Sequence, residues 1–132
     1  NSLNEPSPNL DQIKNLLEAW LTNKSKFLSG DDQLRISKIV NKNLIVRLKN
    51  EKQEDISKNI RKNIKAEIQN IEFLSQSPSR ITVSARLKYE EKIINTNGEL
   101  LSEINFKPFL KVKYILGFSN KSWKLVDYVS GV

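Results

Sequence analysis

In 132 residues the chain has no cysteine, no histidine and no methionine, and only four glycines. Without cysteine there is no disulfide framework, and the redox compartment cannot be read from pairing. Without histidine the commonest general base and the usual zinc ligand are missing, and most nucleophile–base pairs go with them. The glycines at 30, 98, 117 and 131 are scattered, so no phosphate-cradling loop is present. No acidic run has calcium-loop spacing. No apolar stretch approaches the ~18–20 residues that a membrane span needs, and no signal-peptide pattern opens the chain. Beginning at Asn1 without any methionine, the sequence reads as a fragment of a longer polypeptide, whose missing part could carry a membrane anchor.

What is there is ordinary for a globular domain: 38% hydrophobic and 28% charged residues, at a length that can bury a core. The charge is uneven. The net charge is +7. Ten basic residues lie between Arg35 and Lys65 against three acidic ones, so this segment alone carries the excess. Such a face would attract nucleic acid, anionic lipid or an acidic partner; it is equally the solvated side of helices.

The opening Asn1–Pro8 is polar and holds two prolines, which predicts a linker or frayed terminus, with a single domain over 9–132. Asn9 and Gln12 have capping-box spacing. Leu10, Ile13, Leu17, Trp20, Lys24 and Phe27 then form one helical stripe up to Ser29-Gly30. Leu34, Ile36, Ile39 and Val40 predict a short second helix, broken or kinked at Asn41-Lys42-Asn43. Leu44, Ile45, Leu48, Ile56 and Ile60 predict a third to about Lys62, with a possible break in polar Asn50–Asp55.

The period then changes to two. A strand over Ile64–Phe73 carries a phase shift that predicts a bulge near Asn70. Ser75–Ser79 turns into Ile81–Tyr89, and Asn95–Gly98 is a second turn. Phe106–Phe118 places Leu110, Val112, Tyr114 and Leu116 on one face and Lys107, Phe109, Lys111, Lys113 and Ile115 on the other. A last hairpin leads into Trp123–Val129, with Trp123, Leu125 and Asp127 on one face and Lys124, Val126 and Tyr128 on the other. Helices first and strands last give an α+β fold, the helices covering a curved antiparallel sheet.

Chemistry must rest on carboxylates, lysine or tyrosine. Asp127 with Tyr114 or Tyr89 could serve an isomerase-like site inside the sheet's cone, if Asp127 were buried. The Lys107–Phe109–Lys111–Lys113 ladder, with Arg86 and Lys88 beside it, could stack bases and hold phosphates. It could also hold an acidic peptide or a terminal carboxylate. As a plain solvent face it would do neither.

The order of short motifs carries a resemblance. Leu16 to Lys24, with Trp20 and Lys24 as W-x-x-x-K, is similar to the opening helix of the C-terminal, intermembrane-space-type domain of ARC-six-like plastid and cyanobacterial cell-division proteins. Ile81 to Leu87 looks like that family's V-E-A-x-L strand. Lys113-Tyr114-Ile115-Leu116 and Trp123-Lys124-Leu125 resemble its ending. The likeness runs from about Ser7 to Val132. Two departures stand out: Lys88-Tyr89-Glu90-Glu91 where the family continues Glu-Ser-Ala, and Asn41-Lys42-Asn43 where it has a glycine.

The resemblance implies a cone-shaped, nuclear-transport-factor-like sandwich without catalytic residues, cofactor or metal. It implies a domain beyond a single transmembrane helix of an inner-membrane protein, on the periplasmic or intermembrane-space-like side. A cytoplasmic placement stays open on the sequence itself. The implied partner is another division protein or its C-terminal peptide, as captured by the plant members. Arg86, Phe109, Lys111, Lys113 and Tyr114 are then the partner-binding candidates, and Trp20, Tyr114 and Trp123 the framework. The rivals are the isomerase-like enzyme and a nucleic-acid or anionic-membrane surface on the basic 35–65 face.

Overall fold

The computed structural model describes residues 7–131. The expected linker falls mainly on residues 1–6, outside the described residues; Ser7 and Pro8 belong to no helix or strand. Two helices, α1 (Leu10–Ser29) and α2 (Lys42–Ser57), precede four strands: β1 (Ile60–Ser77), β2 (Arg80–Asn95), β3 (Asn105–Ser119) and β4 (Ser122–Ser130). The strands form one antiparallel sheet in chain order, β1-β2-β3-β4. Each joins the next directly, as an α+β layout requires.

α1 starts where the capping box predicts. Asn9 Oδ1 accepts from the Gln12 amide at 2.8 Å, and the Asn9 amide donates to Gln12 Oε1 at 2.9 Å. Replacing Asn9 with alanine should therefore cost about 1 kcal/mol; a urea titration showing no shift in midpoint would contradict this. The helix buries Ile13, Leu17, Trp20, Phe27 and Leu28 and lies along β1. Gly30, at φ 135°, ends it in backbone that a side chain rarely adopts. Lys52 of α2 closes the same end: its ammonium donates to the Phe27 and Asp31 carbonyls at 2.8 and 2.5 Å and sits 4.1 Å from the Phe27 ring centre.

Residues 34–40 do not form the expected second helix. Ile36 and Val40 are buried, but Val40 bridges in parallel to Leu125 of β4. The Leu125 amide donates to the Ile39 carbonyl and the Asn41 amide to the Leu125 carbonyl, both at 2.8 Å. A seven-residue helix is too short to stand on propensity, whereas the open edge of β4 offers β-branched Ile39 and Val40 backbone partners. Asn41, expected as a breaker, is the N-cap residue of α2, although its side chain makes no capping bond. α2 runs unbroken through Asn50–Asp55 and ends at Ser57, short of Lys62. Asn59 then turns the chain through φ 58° into β1, which begins earlier than the alternation implied.

The expected bulge is present: the β1–β2 register slips between Ile68 and Asn70, and again between Phe73 and Ser75. The slip at Phe73 was not foreseen, nor were two others that shape the inner face. One lies between Leu87 and Tyr89, where Leu87 faces Leu110 but Tyr89 faces Lys107. The other lies in β4, where Leu116 faces Leu125 but Ile115 faces Asp127. Each inserts one residue and so exchanges the faces beyond it. Asn120 and Lys121, both at positive φ (51° and 64°), make the tight turn between β3 and β4. The core is one cluster joining α1, Ile36–Leu48 and the inner side of the sheet through Ile64, Ile68, Val83, Leu87, Val112, Tyr114, Leu116 and Leu125. No described helix is long and apolar enough to cross a membrane.

Candidate functional site

Between α1 and the inner side of β2–β4 lies a pocket of about 280 Å³, lined among others by Trp20, Lys24, Lys107, Tyr114 and Tyr128. The helical stripe places Trp20 and Lys24 one turn apart, both turned to the sheet. The two inner-face bulges supply the rest. Tyr128, expected opposite Leu125, is brought onto the same face and stands across from Tyr114. Lys107, expected with Lys111 and Lys113 on the outer face, is turned inward beside Tyr89.

The floor is aromatic. The Tyr128 ring lies 5.8 Å from Trp20 and 6.2 Å from Tyr114, centre to centre and tilted, a favourable geometry for aromatic pairs. Lys24 Nζ stands over both Trp20 and Tyr128, at 5.6 and 5.2 Å from their centres, and donates to the Tyr128 hydroxyl at 3.3 Å. Its stem is packed and its head reaches the pocket. Neither Lys24 nor Lys107 takes part in an ion pair among the described residues. The one carboxylate on the wall, Glu91, accepts from the Tyr89 hydroxyl at 2.9 Å. Burial pushes the Tyr114 phenol above its ordinary range. Burial, then the Glu91 charge, does the same to Tyr89. Both phenols stay protonated donors at physiological pH.

A larger groove of about 580 Å³ runs along the other flank of α1 and meets the pocket at Leu21. Its charges are set opposite one another, Lys65 facing Glu90 and Glu67 facing Lys88 across the β1–β2 ladder, so it presents no one-signed demand for a ligand.

The sequence candidates divide. Tyr114 is in the pocket, 2% exposed. Arg86 and Lys111 face each other on the outer side of the sheet, and Lys113 follows two residues on. Phe109 is 72% exposed. These four therefore do not converge with Tyr114. Of the framework, Trp20 is 2% exposed, whereas Trp123 is half-buried against Phe118 at 5.5 Å, with a buried indole N–H that has no partner.

Asp127 meets neither Tyr89 nor Tyr114. Its carboxylate accepts from Arg47 at 3.1 Å and from the Tyr128 amide at 2.8 Å, half open to solvent. The basic 35–65 segment is also divided. Lys52 caps α1, Arg47 pairs with Asp127, Lys58 pairs with Glu54 and Lys62 is drawn inward, while Arg35, Lys38, Lys42, Lys49, Arg61 and Lys65 are exposed. Among the described residues no group of three or more carboxylates is placed to hold a metal.

Two features escaped the sequence reading. One is the Lys107–Tyr128 side of the pocket. The other is a buried ionic cluster in which Lys62 Nζ lies 2.7 Å from Glu51 Oε2 and 3.3 Å from Asp55 Oδ1. Asp55 is 5% exposed. A signal for it existed: Asp55 continues the helical spacing of buried Leu44 and Leu48.

The sequence profile of the ARC6-like, IMS domain family matches residues 13–126. The chain belongs to that family. It is thus a division-related domain, of a family not known for enzymes. A search of curated protein sequences gives no match. Among solved structures, this ARC6-like domain is similar to the crystal structure of the intermembrane space region of chloroplast protein ARC6, with a TM-score of 0.72 at 13% identity over 95% of this chain and 98% of that one. The cone-like α+β fold is the expected one. A protein with a cystatin-like fold from Caulobacter vibrioides matches at a TM-score of 0.48 and 13% identity, over 91% and 86% of the two chains.

Proposed function

We propose that this ARC6-like domain is a non-catalytic receptor for an extended protein segment, and that the pocket under α1 takes the segment's terminal carboxylate. The observation that carries it is the Lys24 ammonium over the Trp20 and Tyr128 rings, with Lys107 lining the same pocket and neither lysine ion-paired among the described residues. A carboxylate there gains charge-assisted hydrogen bonds, and the rings of Trp20, Tyr114 and Tyr128 accept the last apolar side chain. Membership in a division-related family supports a partner among division proteins. The likeness to an intermembrane space region supports a membrane-anchored parent that holds this domain on the periplasmic side and links the division ring to components across the inner membrane.

The test is a displayed octapeptide library with free C-termini. Amidating the selected peptides, or replacing Lys24 with methionine, should each weaken binding at least tenfold, the scale of a hydrogen bond to a charged group. Selected peptides that bind equally well amidated, and equally well to Lys24→Met, would sink the assignment.

A second contact is favoured by the outer face. Arg86 and Lys111 are like charges directly opposed across β2–β3, an arrangement that costs stability by itself. Together with Lys113 and Phe109 they suit an acidic stretch of the same partner. Charge reversal at Lys111 and Lys113 should reduce partner capture; full retention would remove the outer face from the interface.

A further inference from the structure

The sheet has three free edges, and they are treated differently. The β1 edge is broken by two register slips, and its Ile64 carbonyl is tied to α1 by the Ser25 hydroxyl at 2.6 Å. The β4 edge is occupied at its centre by Ile39–Asn41. The third edge lies on β3. β4 ends at Ser130, opposite Val112, so Asn105–Leu110 pairs with β2 on one side and with no described strand on the other.

That stretch is built like an interface. Phe106 and Phe109 are 51% and 72% exposed, and Leu100, Leu101 and Ile104 stand out just before them. This is more apolar surface in ten residues than scattered surface side chains explain. Phe106, Pro108, Phe109, Lys111 and Gly131 form an open shelf of about 510 Å³. Pro108 cannot donate to a ladder, and within sheets such a residue belongs at an edge. Lys107 joins the shelf to the pocket, since it lines both.

We infer that an extended acidic segment of the partner adds to the sheet here, in line with β4 along Asn105–Leu110, beyond the Gly131 amide that bonds the Lys111 carbonyl. Its backbone pairs with the open edge on either side of Pro108. Its apolar side chains lie on Phe106 and Phe109, and its carboxylates, on the alternate face, meet Lys107, which is not ion-paired among the described residues. Strand addition supplies affinity through the main chain and selectivity through alternate side chains. A lipid surface fits less well, because burying unpaired edge N–H and C=O groups in hydrocarbon costs several kcal/mol each. The inference rests on the receptor reading above and specifies how the partner lies.

The probe is an octapeptide of alternating valine and aspartate with a free carboxylate, with two variants N-methylated at alternate residues. One N-methyl set should weaken binding at least tenfold and the other leave it unchanged, with amide exchange slowed at Phe106 and Phe109, whose N–H groups alternate with those turned to β2. Binding that depends on the carboxylate but ignores both N-methyl sets overturns strand addition and leaves the pocket reading standing. No binding at millimolar peptide overturns the inference. So does protection of the same amides by phosphatidylglycerol vesicles or by self-association, which would assign the shelf to lipid or to a second copy.

Discussion

Replacing Lys62 with methionine is expected to destabilise the domain by about 3–4 kcal/mol at pH 7, the largest effect of any single charge in the chain. Among the described residues Lys62 is the one cation ion-paired with the buried Asp55 carboxylate, whose Oδ2 has no hydrogen-bond partner there. Removing one member of such a cluster strands the other, which costs about 3–5 kcal/mol. Here there is a ceiling. Rather than remain charged, Asp55 can take a proton, and at pH 7 that costs a carboxyl of ordinary value 3.8 about 4 kcal/mol. Glu51 is more exposed and can turn to water.

The pH dependence follows from the direction of each shift. In the native protein burial pushes the Asp55 carboxyl up, against the pull of Lys62. A folded value above the unfolded one means that the stability linked to the proton is complete below 3.8 and is lost as pH rises through the raised value. Most of the Lys62→Met deficit should therefore vanish by pH 4, and Asp55→Asn should restore much of it at pH 7. Lys62 is itself raised: burial pulls it down, but the Glu51 hydrogen bond and the two carboxylate charges outweigh it. Its contribution is present below its ordinary 10.5 and disappears only at strongly alkaline pH. Urea unfolding of the variants at pH 7 and pH 4 checks this; a deficit of equal size at both would refute the account.

The second large effect is at Trp20. It is 2% exposed and is the largest side chain of the buried core. Trp20→Ala should cost about 3–5 kcal/mol through lost contacts and the cavity left behind. Trp20→Phe keeps most of that volume and should cost much less. Because Trp20 also forms the pocket floor with Tyr128, the phenylalanine variant separates the two roles: stability largely kept, peptide affinity reduced. Trp123→Ala, at a half-buried position, should be milder than Trp20→Ala in thermal unfolding. The reverse ranking would mean that the hairpin, not α1, anchors the core.

How much of this was legible depends on how forgiving each residue is of the wrong face. In β1, Ile68 and Ile71 are apolar on both sides of Gln69, so the slip appears as a broken alternation. In β3 and β4 the slips pass between Lys107 and Leu110 and between Leu125 and Tyr128. A lysine stem or a tyrosine suits either face, so the pattern stays silent, and half of the pocket was lost with it. Val83 to Leu87, with no slip, was read correctly. The segment around Ile36 and Val40 failed for another reason. Its four-residue spacing is genuine and both residues are buried, yet spacing does not reveal that a distant strand edge competes for the same backbone. Lys24 stood out because a lysine interrupts an apolar stripe. Asp55 interrupts one too, but on a helix whose other residues were polar enough to hide it.

That distant edge has a consequence for how the chain is made. The Ile39 carbonyl and the Asn41 amide find their backbone partner in Leu125, so the link between the two helices cannot settle until the last strand of the domain is in place. Contacts so far apart in sequence slow folding, and they make completion a single late event. During synthesis the residue 39–41 segment stays without its strand partner. It locks only when the final strand arrives.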